Sequence, residues 1–131
     1  MPMANILIVD DEEMDRLLGR RIVEDAGHTP FFAHDGAAAL KIYEENDIAV
    51  VITDLRMPNV DGLQLIKDLL AHDSDAAIIA VSGVAHQLEK AEEYGAIAAL
   101  AKPIEPEELV KTVQEVLDNL TTGDDVWGSG Q

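Results

Sequence analysis

Five polar residues stand at the ends of mainly apolar runs. Asp10 and Asp11 follow Ile6–Val9, Asp54 follows Ile48–Thr53, Ser82 follows Ala76–Val81, and Lys102 follows Ile97–Ala101. Gathered in one small site, the three carboxylates would repel one another and stay ionised together only beside a cation. Hard oxygen donors without His or Cys suit magnesium, with manganese as the second choice. Magnesium keeps several waters and typically bridges carboxylates to a phosphate. A lysine ammonium and a serine hydroxyl fit the remaining need, a point charge and a donor for a phosphoryl oxygen. A carboxylate in such a site can itself be the nucleophile, giving an acyl phosphate.

Each residue has a plainer explanation when taken singly. The acidic run Asp10–Glu13 suits the positive end of a helix dipole with no metal present. Asp54 suits a turn or cap, Ser82 before Gly83 an ordinary turn, and Lys102 a solvated surface. Their joint placement argues otherwise, because four separate strands would have to deliver these five residues to the same end by accident.

Elements that alternate between two periods must position these residues. Ile6–Val9, Phe31–Ala33, Ile48–Thr53, Ala76–Val81 and Ile97–Ala101 are predicted as strands. Pro30 weakens the second and places it at a sheet edge. The third is apolar on both faces, so it is expected to be central and covered on both sides. Between them Met14, Leu17, Leu18 and Ile22 recur at helical spacing up to Gly27. Ala37–Glu45, Leu63–Leu70, His86–Tyr94 and a last helix after Pro106 complete five βα units. Strands separated by helices imply a parallel α/β sheet with right-handed crossovers and helices on both faces. Ligands of such sheets bind beyond the carboxyl ends of the strands, where the five polar residues stand. Residues 1–120 are expected to form one domain, and 121–131 a polar flexible tail.

Composition narrows the choice further. The 131 residues suit one domain with a real core, and 47% are hydrophobic. There is no cysteine, which excludes a disulfide framework, a thiolate metal site and a cysteine nucleophile. Nine basic against 26 acidic residues give a net charge of −17, which disfavours nucleic acid and anionic membranes as partners. No apolar run reaches spanning length, and the N-terminus has no secretory pattern, so a cytoplasmic location is expected. The four histidines, His28, His34, His72 and His86, lack metal-ligand spacing and are read as surface or turn residues. No glycine-rich phosphate loop followed by lysine is present, which sets a nucleotide hydrolase aside.

Asp10-Asp11, Asp54-Leu55-Arg56-Met57-Pro58 with Asp61-Gly62 behind it, Ser82-Gly83 and Lys102-Pro103 together resemble the motif set of response-regulator receiver domains. The resemblance covers about residues 5 to 120. It implies a flavodoxin-like (βα)5 doubly wound parallel sheet of five strands in the order 2-1-3-4-5. It implies Asp54 as phosphoacceptor. Asp11 would be a direct metal ligand, Asp10 an acid acting mostly through bound water, and the backbone carbonyl of Arg56 a further ligand. Ser82 would be the switch hydroxyl and Lys102 the phosphoryl contact, with a cis Lys102-Pro103 bond. It further implies a magnesium cofactor in a two-component phosphorelay, and a histidine kinase or histidine phosphotransfer protein as donor. Output would pass through contact with a downstream protein, and the only catalysis would be the domain's own phosphoryl transfer and autodephosphorylation. One departure stands out: where the family usually has an aromatic residue three positions before the lysine, this chain has Ala99. The alternative is a constitutive interaction module that keeps the fold without switching. A phosphatase with an aspartyl nucleophile would be expected to carry a second aspartate at position 56, where this chain has arginine.

Overall fold

The computed structural model describes residues 3–56 and 62–128. Five strands, β1 (Asn5–Val9), β2 (Thr29–Ala33), β3 (Val50–Asp54), β4 (Ile78–Ser82) and β5 (Ala98–Ala101), alternate with five helices. The helices are α1 (Glu13–Asp25), α2 (Gly36–Glu45), α3 (Gly62–His72), α4 (Ala85–Tyr94) and α5 (Pro106–Gly128). The strands pair in parallel in the order β2-β1-β3-β4-β5, the flavodoxin-like doubly wound arrangement.

Side-chain alternation along the strands builds two cores, one on each face of the sheet. Leu7, Val9, Val51, Ile78 and Ala80 face α2, α3 and α4, where Leu65, Ile66 and Leu69 close over them. Ile6, Ile8, Val50, Ile52, Ile79 and Val81 face α1 and α5, against Ile22, Val23, Leu109, Val113 and Val116. Every residue of β3 and β4 is buried, as continuous apolar runs in a central parallel sheet require. The chain leaves β1 for the β2 edge and returns to β3. The crossover direction therefore reverses between β1 and β3, and a crevice opens above that junction.

Several boundaries differ from the sequence reading, each for a local reason. β3 and β4 begin two residues later than their apolar runs, because pairing starts only where Val50 meets Ile6 and Val51 meets Ile78. Asp54 and Ser82 are the last residues of their strands rather than the first residues beyond them, because pairing continues to Asp54 opposite Val81 and Ser82 opposite Ala101. β2 accommodates Pro30 within it. The Thr29 N–H donates to the Ala4 carbonyl, so by the two-residue period the nitrogen of Pro30 faces the open edge, where no donor is needed. α1 buries Ile22 and Val23 but leaves Leu17 and Leu18 about half exposed. α2 starts at Gly36 because the Asp35 carboxylate accepts the Ala38 N–H at 2.8 Å. α5 continues to Gly128, so the change of composition at residue 121 is not a helix end.

One expectation about the histidines is corrected. His28 is only 6% exposed and its Nδ1 accepts the Ala4 N–H at 3.2 Å, so it fastens the start of β1 rather than lying on the surface. His34 and His72 are exposed as expected.

Candidate functional site

The crevice above β1 and β3 collects charge. Asp10 directly follows β1 and is 7% exposed, and Asp54 ends β3 at 5%. Carboxylate oxygens of Asp10, Asp11 and Asp54 lie within 4.8 Å of one another. Asp10 is locked in place at both ends. Its Oδ1 accepts the Glu12 N–H at 3.0 Å, and its carbonyl accepts from the Arg16 guanidinium at 2.7 Å. Asp54 Oδ1 accepts the Arg56 N–H at 3.1 Å. Its Oδ2 accepts from Lys102 Nζ at 3.1 Å, a contact that links β3 to the segment after β5. The Lys102-Pro103 peptide bond is cis.

Burial decides the electrostatics. Desolvation pushes the Asp10 carboxyl up to about 6, and the charges of Asp54 and Asp15 push the same way. The Glu12 N–H and Lys102 oppose that rise without cancelling it. Burial works against the Lys102 ammonium too, but the hydrogen bond and charge of Asp54, with Asp10 and Asp15, hold its pKa above the ordinary lysine value. Three carboxylates sharing one ammonium leave the crevice short of positive charge. The donors are all hard oxygens, and two of the three carboxylates, Asp10 and Asp54, are buried. That set fits a small divalent cation.

One participant, Asp15, escaped the sequence reading. Asp15 Oδ2 lies 3.5 Å from Lys102 Nζ, so the lysine is shared between two acids. Asp10, Glu12 and Asp15 also form a second close group of carboxylates. The signal was present: Asp15 stands in the first turn of α1, directly after the acidic end of β1. The acidic run was read as ending at Glu13, so Asp15 was not singled out. Below these acids a cavity of about 520 Å³ runs between α1 and α5, walled by Ile8, Ile52, Leu18, Ile104 and Leu109.

Ser82 is fully buried at the end of β4, but its hydroxyl is engaged away from Asp54. Oγ accepts the Val84 N–H at 3.0 Å and donates to Gln87 Oε1 at 2.7 Å. Arg56 is exposed and contributes its amide to Asp54. Met57, Pro58 and Asp61 of the motif, and with them most of the predicted loop after Asp54, lie outside the described residues.

The fold and site together define a doubly wound α/β domain with a carboxylate cluster and a lysine over its β1–β3 junction. The response regulator receiver domain profile matches residues 6–114, and the chain belongs to that family. It is 29% identical over 119 residues to sporulation initiation phosphotransferase F of Bacillus subtilis, covering 89% of this chain and 96% of that one. It is 34% identical over 122 residues to the sensor kinase CckA of Brucella abortus, covering 88% of this chain but only 13% of the kinase. Among solved structures, response regulator protein TrrA of Thermotoga maritima, in complex with Mg2+-BeF, superposes with a TM-score of 0.82. That match is 28% identical and covers 87% of this chain and 99% of the other. No described helix is long and apolar enough to cross a membrane.

Proposed function

We propose that this chain is a phosphorylation switch in which Asp54 takes a phosphoryl group from a phosphohistidine. The Lys102–Asp54 contact of 3.1 Å, beside the buried Asp10, is the observation that carries the reading. One Asp54 oxygen forms the new bond to phosphorus while the phosphorus–nitrogen bond of the donor breaks. Lys102 is already within hydrogen-bonding distance of Asp54, where negative charge from the incoming group would build up. Its raised pKa keeps it protonated for that task. Arg56 fixes the other Asp54 oxygen through its N–H, so the carboxylate enters the reaction oriented. Asp10, Asp11 and Asp54, with the Arg56 carbonyl, are the residues that would hold magnesium, which supplies charge neutralisation at the phosphoryl oxygens. Ser82 would supply the hydroxyl donor once a phosphoryl group is present. The phosphoryl group then biases a two-state equilibrium read by a downstream protein.

The donor is a histidine kinase or histidine phosphotransfer protein, and the site of action the cytoplasm. The domain catalyses its own phosphorylation and autodephosphorylation and no other reaction. A net charge of −17 is set against nucleic acid as a partner. The test is incubation with acetyl phosphate and magnesium followed by intact and peptide mass. One phosphate on Asp54 is expected. No adduct, or an adduct elsewhere, would overturn the reading. The absence of adduct with any donor would favour the constitutive interaction module instead, for which the small Ala99 on β5 speaks.

Lys102→Ala is expected to slow uptake about a hundredfold, the scale for losing one preorganised charge at a reacting centre. The rate of adduct formation measures it, and a loss under about threefold would remove Lys102 from the mechanism.

Magnesium affinity is expected to depend on Asp10. Folding raises this carboxyl from 3.8 to about 6. Without cation, its contribution to stability is therefore greatest below the unfolded value and is lost as pH rises through about 6. Cation binding needs the ionised form. By calorimetry, affinity is expected to drop about tenfold per pH unit below about 6, and an affinity flat to about pH 5 would contradict it.

A further inference from the structure

The hydroxyl that a phosphoryl group on Asp54 would need is already committed elsewhere. Ser82 Oγ gives its one proton to Gln87 Oε1 at 2.7 Å and receives the Val84 N–H at 3.0 Å. Ser82 is fully buried, so bulk water does not compete for that proton. Gln87 lies in the first turn of α4, whose N-cap, Val84, offers no side-chain cap. The Ser82–Gln87 bond therefore ties the catalytic edge of the sheet to the start of that helix. Further along, α4 is held by apolar contacts, with Ala91 buried and Leu88 packed on the same core. The neighbouring strand β5 offers only alanines and Leu100, and Ala99 sits opposite Ala80.

We propose that Gln87 is a positioning residue that latches α4 to Ser82 in the unphosphorylated domain, and that a phosphoryl group on Asp54 draws the hydroxyl away and releases the first turn of α4. The proposal rests on the reading of Asp54 as phosphoacceptor. A hydroxyl has one proton, so the bond to Gln87 and a bond to a phosphoryl oxygen exclude each other. That exclusion turns a chemical event at the strand end into a change at a helix terminus, without any ring between them.

The test compares the full chain with Gln87→Leu, which removes the acceptor at similar length, and Gln87→Glu, which keeps one. Two quantities are read: the rate of phosphate uptake from acetyl phosphate with magnesium, and amide exchange across residues 85–88. Gln87→Leu is expected to take up phosphate about three- to tenfold faster, the equilibrium worth of one net hydrogen bond. Before phosphorylation, its α4 exchange is expected to match that of the phosphorylated wild type. Gln87→Glu is expected to restore both wild-type values. Ser82→Ala breaks the same bond from the other side and is expected to give the exchange of Gln87→Leu. If the wild type is phosphorylated on Asp54 and Gln87→Leu leaves either quantity unchanged, the latch is overturned while the site reading stands. If the wild type takes no phosphate, both fall together.

Discussion

Asp54→Asn is expected to abolish phosphate uptake completely while leaving the protein at least as stable as the wild type. The amide keeps an oxygen for the Arg56 N–H, now held at 3.1 Å, so the end of β3 retains its geometry. What disappears is a buried negative charge facing Asp10 across a crevice with one ammonium to share. Removing one of two like charges relieves repulsion, so the metal-free melting temperature is expected to hold or rise. The same change removes one of three closely grouped oxygen donors. Magnesium affinity is therefore expected to fall by at least about tenfold. Intact mass, calorimetry and a thermal melt read the three outcomes separately. Residual uptake by the variant would place the acceptor elsewhere, and a large loss of stability would show that Asp54 is structural.

The second large effect concerns a residue with no side chain. A Cβ built on Gly62 would lie 2.4 Å from the Leu55 Cα and 2.8 Å from the Asp54 carbonyl oxygen. Both are backbone atoms of the strand end that carries the site, so neither can swing aside as a side chain would. The Gly62 N–H also donates to the Leu55 carbonyl at 3.2 Å, drawing the start of α3 against that segment. Gly62→Ala is expected to cost about 3 kcal/mol or more, at the upper end of overpacking costs. It should lower the melting temperature by roughly 10 °C for a domain of this size. Because the displaced atoms include Asp54 itself, phosphate uptake should fall in the protein that remains folded. A variant within about 0.5 kcal/mol of wild type by denaturant titration would show that the close approach does not exist.

The architecture was legible because the two kinds of periodicity do not overlap. Ile48–Thr53 and Ala76–Val81 read as buried strands because nothing polar interrupts them, and the strands that form there, Val50–Asp54 and Ile78–Ser82, are buried at every residue. The candidate site was legible for a related reason: topology brings every strand end of a parallel sheet to one edge, so a list of residues after strands is already a list of neighbours. Asp10, Asp11, Asp54 and Lys102 do meet there. The readings that failed depend on contacts no local pattern encodes. His28 looked like a turn residue until the start of β1 was seen to use its ring nitrogen. Asp15 was not singled out, because the residue it meets, Lys102, stands 87 residues away along the chain. The direction of the Ser82 hydroxyl depends on a glutamine five residues on, and a sequence of turn and helix says nothing about which acceptor a buried hydroxyl selects.

The placement of Pro30 carries a consequence for how these molecules behave when crowded. The outermost strand of an open sheet is a template onto which another copy's strand can add, and soluble proteins must discourage this. Here the ring nitrogen faces outward in mid-strand and offers an incoming chain no donor, leaving a gap in the ladder that such a chain would need to complete. Replacing this proline would cost the folded monomer little hydrogen bonding, yet it would hand that edge an unbroken set of donors. Self-association at high concentration is where the substitution would show.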